Sequence, residues 1–174
     1  MSFAVVGWAD VFIRKEYKDI MVSSLEYCQK EKGLIIYAYV IMSSHVHLLI
    51  SKEENAITLS DIMRDMKKYT SGRLLKAIQD NPQESRKEWL LSMFKNAGNV
   101  NSNNTTYQFW QQNNQPLQIS ERDKIENVLG YIHDNPVKEG WVCEAEDYLY
   151  SSARNYADKE SVLKIISVYD GIEI

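Results

Sequence analysis

The triplet His45-Val46-His47 holds two of the chain's three histidines at i and i+2. In a strand that spacing puts both imidazoles on one face, about 7 Å apart along the backbone, where two neutral ring nitrogens can converge on one metal ion. Val46, Leu48 and Ile50 then point the other way, into a core. Taken alone, the pair also reads as two polar histidines that hold nothing. A metal site needs a third ligand, and chemistry needs a group that reacts.

Both are offered by the segment 120–135, which reads as a helix. At 100° per residue, Ile125, Val128, Leu129 and Ile132 share one arc, and Tyr131 falls roughly 110° from its centre. Asn135 lies only about 40° from Tyr131, so a phenol and an amide share a flank, whereas His133 points to the opposite one. Tyrosine hydroxyls attack phosphodiesters when a divalent ion polarises the phosphate and the leaving oxygen. Two imidazoles and an amide make a neutral site suited to Mg²⁺ or Mn²⁺. The chain has eleven tyrosines, and a helix-edge tyrosine also serves as packing or a hydrogen-bond anchor.

The elements that must position these groups are legible in outline. Ser2–Phe12 is β-branched and aromatic and is expected to be a strand, although Gly7 and Asp10 interrupt it. Apolar residues at three- and four-residue steps predict a helix over 13–32, with Gly33 closing it. Two apolar runs of strand length, 34–42 and 45–51, flank Ser43-Ser44 and predict a hairpin. Thr58 and Ser60 are candidate caps for a helix that Asn81-Pro82 stops, and residues 84–97 form another. GNVNSNNTT reads as a loop and YQFWQQ as a short strand. Ser120 with Asp123 resembles a cap pair opening the last helix, which Asn135-Pro136 is expected to end at about His133. The order predicts an α+β fold with helices packed on an antiparallel sheet.

With 174 residues, 44% of them hydrophobic and 25% charged, the chain is in the range of one domain. No apolar run is long enough to cross a bilayer, and no secretory signal is visible, so no membrane partner is expected. Cys28 and Cys143 form neither a disulfide framework nor a zinc knuckle, which fits a cytoplasmic location. The net charge of −4 gives no global attraction to nucleic acid, but it is uneven. Residues 121–174 carry six basic and twelve acidic side chains, leaving a small positive excess before them. Arg64, Lys67, Lys68, Arg73 and Lys76 face only Asp61 and Asp65 in the helix after Thr58, which gives a local basic face for phosphates or simply for water.

Three blocks in order carry a family resemblance. Tyr39–Ile50, with its His-hydrophobe-His core, resembles the signature strand of HUH single-tyrosine transposases of the insertion-sequence type. With Tyr131-Ile132-His133-Asp134-Asn135-Pro136-Val137-Lys138-Glu139-Gly140-Trp141-Val142 and Tyr148–Ala153, it is similar to their REP-associated branch; Phe109-Trp110-Gln111 also fits. The likeness implies a ferredoxin-like fold over residues 1–156, with a tail of unassigned role over 157–174. It implies His45, His47 and Asn135 as metal ligands. Tyr131, on a C-terminal helix, would be the nucleophile that forms a 5′-phosphotyrosine and frees a 3′-OH. Single-stranded DNA hairpins are the implied partner, no nucleotide cofactor is required, and a homodimer is compatible with the family. The competing readings are a non-catalytic single-strand-binding module, using the basic helix and Trp110, and a zinc protein using all three histidines.

Overall fold

The computed structural model describes residues 1–101, 106–112, 116–119 and 121–171. Three strands, β1 (Ser2–Ala4), β2 (Leu34–Ile41) and β3 (His45–Lys52), form an antiparallel sheet in the order β1-β3-β2. The hairpin forms as the two apolar runs predict, with Val40 opposite His47 and Ile41 opposite Val46. β1 pairs on the other side of β3, Ser2 opposite His47 and Phe3 opposite Val46. Both outer edges are covered by short segments. Val6 donates to the carbonyl of Phe109 and Gln111 to that of Ala4, while Ile41 donates to Tyr150 and Ser152 to Tyr39. Sheet edges are thereby closed to stray pairing.

The helices are α1 (Lys15–Lys32), α2 (Leu59–Asp80), α3 (Lys87–Asn99), α4 (Arg122–Lys138) and the short α5 (Ala153–Tyr156) and α6 (Val168–Gly171). Thr58 caps α2 as expected, its Oγ1 accepting from the Asp61 N–H and donating to the Asp61 carboxylate. Phe3, on the Val46 face of the sheet, lies 5.4 Å beneath Lys67 Nζ of α2. Ser2, on the His47 face, points to the side that carries α4. The two helices therefore cover opposite faces, which buries Val46 and Leu48 under α1 and α2 and leaves the histidines with α4. Residues after Tyr156 return to the sheet, Ile166 donating to Ile36, with Leu163 and Val168 buried.

Three expectations are corrected. The first strand stops at Ala4 instead of reaching Phe12, because the chain folds into two tight turns, Val6–Trp8 and Val11–Ile13. YQFWQQ contributes only an isolated bridge, Trp110 to Val5, since it is held at the sheet edge on either side of one residue. The last helix does not end before Pro136 but runs to Lys138. A proline inside a helix removes one hydrogen bond, here the one that an N–H at 136 would give to the Ile132 carbonyl, but a complete stop motif lies one turn further on. Gly140 at φ +73° lets its own N–H reach Val137 and that of Trp141 reach Pro136. The Asn-rich loop falls partly, and Ser120 wholly, outside the described residues; Glu121 is the residue preceding α4.

Glu84, with its carboxylate buried, ties the turn after α2 to the start of α1. It accepts from Arg14 Nε at 2.8 Å, Arg86 Nε at 3.1 Å and the Tyr17 hydroxyl at 3.3 Å. Burial pushes its pKa up, but the bonds from Arg86 and Arg14 outweigh this and hold it below the usual value. Glu84→Ala is expected to cost about 3 kcal/mol in urea unfolding, because two guanidinium groups lose their counter-charge; a loss under about 1 kcal/mol would contradict this role.

Candidate active site

α4 brings Tyr131 over the histidine face. The Tyr131 ring meets that of His47 edge to face at 5.2 Å, and His47 meets His45 in the same way at 4.8 Å. Tyr131 is half-exposed, His47 is buried, and His45 is intermediate. Asn135, one turn after Tyr131, acts on His45, raising its pKa against the effect of burial. Its Nδ2 is engaged by the Tyr131 carbonyl, which leaves Oδ1 as the ligating atom. The structure thus brings together Tyr131, His45, His47 and Asn135.

It does not bring the basic residues there. Arg64, Lys67, Lys68, Arg73 and Lys76 lie on α2, across the sheet from the histidines. Arg64 pairs with Asp61 and Asp65, Lys76 pairs with Asp80, and the Lys67 ammonium sits over Phe3. Burial lowers the Lys67 pKa. Arg73 borders a groove of about 740 Å³ between α1 and α2, with Tyr27, Lys32, Asp65 and Tyr69. Lys68 is exposed on the same helix.

The electrostatics favour neutral imidazoles. Burial, reinforced by His45 and the N-terminal ammonium, pushes the His47 pKa down to about 4. Burial also lowers that of His45, against the opposing pull of Glu139, Asn135 and Asp10. His47 Nδ1 shares a 2.5 Å hydrogen bond with Ser2 Oγ, while its Nε2 is buried without a hydrogen-bond partner among the described residues. A ligating Nε2 requires the ring proton on Nδ1, and Ser2 Oγ stands ready to accept it. An orphaned, neutral, oriented nitrogen beside a second imidazole and an amide oxygen fits a divalent cation.

Sequence reasoning missed several neighbours. Ser2 orients His47, and Trp8 lies edge to face with His45 at 5.4 Å. Lys138 holds its ammonium 5.5 Å from the centre of the Tyr131 ring, and the Glu139 carboxylate acts on His45. Lys138 and Glu139 follow Tyr131 by seven and eight residues, a helical repeat that was available once α4 was extended past Pro136. His133 stands apart from the pair. It bonds Ser152 Oγ at 2.9 Å and packs against Tyr156, tying α4 to the edge of β2. No cluster of three or more His, Cys, Asp or Glu suited to a metal occurs among the described residues.

The model of the IS200-like transposases matches residues 9–96, half of the chain. The chain belongs to the IS200-like transposase family. The match takes in β2, β3 and both histidines of the pair; α4 lies beyond it. The whole fold is similar to the solved structure of a REP-associated tyrosine transposase bound to a REP hairpin, with a TM-score of 0.63 and 17% identity over 99% of this chain and 89% of that one. No curated protein matches. The agreement in fold takes in α4 and the C-terminal segments as well. No helix among the described residues is long and apolar enough to cross a membrane.

Two shielded histidines, His47 buried and His133 partly so, give this family member a pH signature. Burial lowers His133 to about 4 as well as His47. As pH falls below about 6.5, the unfolded chain takes up protons that the folded chain refuses, so stability is full above that point and declines toward pH 4. In EDTA, thermal unfolding is expected to show a loss of roughly 2 kcal/mol for each of these two histidines by pH 5. A flat profile from pH 7 to 5 would contradict their burial as neutral rings.

Proposed function

We propose that this chain is an enzyme that cleaves and rejoins single-stranded, hairpin-bearing DNA through Tyr131. The supporting observation is the approach of the Tyr131 ring to His47, whose buried Nε2 has no hydrogen-bond partner among the described residues. His45, His47 and Asn135 would hold Mg²⁺ or Mn²⁺, which would supply polarisation of the scissile phosphate and the leaving oxygen. Ser2 keeps the His47 proton on Nδ1, and burial keeps both rings neutral and able to ligate near pH 7.

Tyr131 is half-exposed, so its hydroxyl is open to a phosphate that approaches from solvent. Its Oη–P bond forms as the P–O3′ bond breaks. The phenolic proton leaves to solvent and the departing 3′ oxygen takes one up, giving a 5′-phosphotyrosine and a free 3′-OH. Attack by a 3′-OH reverses the step and rejoins DNA without nucleotide hydrolysis. The ammonium of Lys138, 5.5 Å from the centre of the ring, offers a positive charge to the incoming phosphate. Because Tyr131 meets the histidines of its own chain, the nucleophile acts within one subunit, whether or not the protein forms a homodimer. The alternative role, a module that binds single strands without cutting them, is distinguished by a covalent-adduct assay with Tyr131→Phe as its control.

A further inference from the structure

Four aromatic rings form an unbroken row of edge-to-face contacts across the site. Trp8 meets His45 at 5.4 Å, His45 meets His47 at 4.8 Å, and His47 meets Tyr131 at 5.2 Å. The two ends are the open ones, Trp8 at 60% exposure and Tyr131 at 50%, and the proposed function uses only the second. Trp8 is also held in a conformation that tryptophan disfavours. Its φ is +54°, directly after Gly7 at φ +64°, and left-handed backbone is strained for a bulky residue.

The surroundings over-determine this turn. Trp8 N–H donates to Val5, Val5 to Ser44, Val6 to Phe109 and Phe12 to Ser43. Asp10 is gripped from two sides, its carboxylate by Ser43 and its carbonyl by Arg86. An added Cβ on Gly7 would come within 3.0 Å of Met93 Sδ, so the turn is pressed against α3. Strain maintained at a functional centre, for a side chain that buries little of itself, is spent on placement. An exposed indole beside a phosphate-handling site presents a π-face to which any unpaired base can stack.

We propose that Trp8 is the stacking platform for an unpaired base of the DNA strand entering the site, on the His45 side of the scissile phosphate. This rests on the reading of the site as one that handles single-stranded DNA. The strand would lie along the row of rings, with its phosphate over the histidines, Tyr131 at one end and the stacked base at the other.

The test uses the full chain in EDTA and low salt, so that no cleavage intervenes. The probe is single-stranded dT12 carrying one central 2-aminopurine, whose emission is quenched by stacking. Trp8→Gly, which removes the ring and relieves the backbone, is expected to bind about tenfold more weakly and to lose most of the quenching, with a melting temperature equal to or above that of the wild type. Trp8→Phe is expected to retain most of both. Binding and quenching by Trp8→Gly within twofold of the wild type would overturn the proposal. A melting temperature lowered by several degrees in Trp8→Gly would overturn it too, because the ring would then be packing. If the wild type forms no covalent adduct with DNA while Trp8→Gly still loses binding, the strand-transfer reading falls and the platform stands.

Discussion

A His47→Ala variant is expected to form covalent DNA adduct at least about two to three orders of magnitude more slowly than the wild type at fixed Mn²⁺, the range seen when one group that steadies transition-state charge is removed. His47 is the most constrained member of the site. Its ring is buried, neutral down to about pH 4, touched by Tyr131 on one side and held at Nδ1 by Ser2. Alanine removes the nitrogen that has no other use in the fold, so the effect should fall on chemistry more than on folding. The control is chelation: EDTA should reduce the wild type to the level of His47→Ala and leave the variant unchanged. Equal rates for the two proteins in Mn²⁺ would show that the orphaned nitrogen is not a ligand.

Tyr131→Phe is expected to abolish the adduct, since loss of a covalent nucleophile costs on the order of 10⁶ in rate. Phenylalanine keeps the ring that packs on His47 and lies under Lys138, so hairpin binding should persist within about twofold, the loss of one exposed hydroxyl being small. Because the tyrosine faces the histidines of its own chain, a mixture of Tyr131→Phe and His47→Ala should remain inactive. Restored cleavage in that mixture would mean that tyrosine and histidines from different subunits cooperate.

Much of this geometry was legible in the sequence, for specific physical reasons. Two apolar runs around Ser43-Ser44 predicted the hairpin, and the period of two in β3 put His45 and His47 on one face, because a shift by one residue would have exposed Val46 and Leu48. The angular offset of Tyr131 from Ile125, Leu129 and Ile132 placed it off the core of α4, and those three are buried while it is half-exposed. What was not legible depended on contacts distant in sequence. Local rules end a helix before Pro136, but the helix runs on to a Gly140 stop, and that extra turn brings Lys138 and Glu139 to the site. β propensity extended the first strand through Trp8, whereas packing of Gly7 against α3 folds it into a turn. Which face of the sheet receives α2 is a tertiary choice, and it separates the basic helix from the histidines. Among the described residues, Lys138 is instead a cation that the structure places at the tyrosine.

The central claim is tested most directly on a denaturing gel. Wild type and Tyr131→Phe are incubated with labelled single-stranded hairpins from both flanks of the gene, in Mn²⁺ or in EDTA. A protein–DNA adduct that requires both Mn²⁺ and the Tyr131 hydroxyl is the expected result. Hairpin binding by the wild type with no adduct in Mn²⁺, or an adduct of equal yield from Tyr131→Phe, would contradict it.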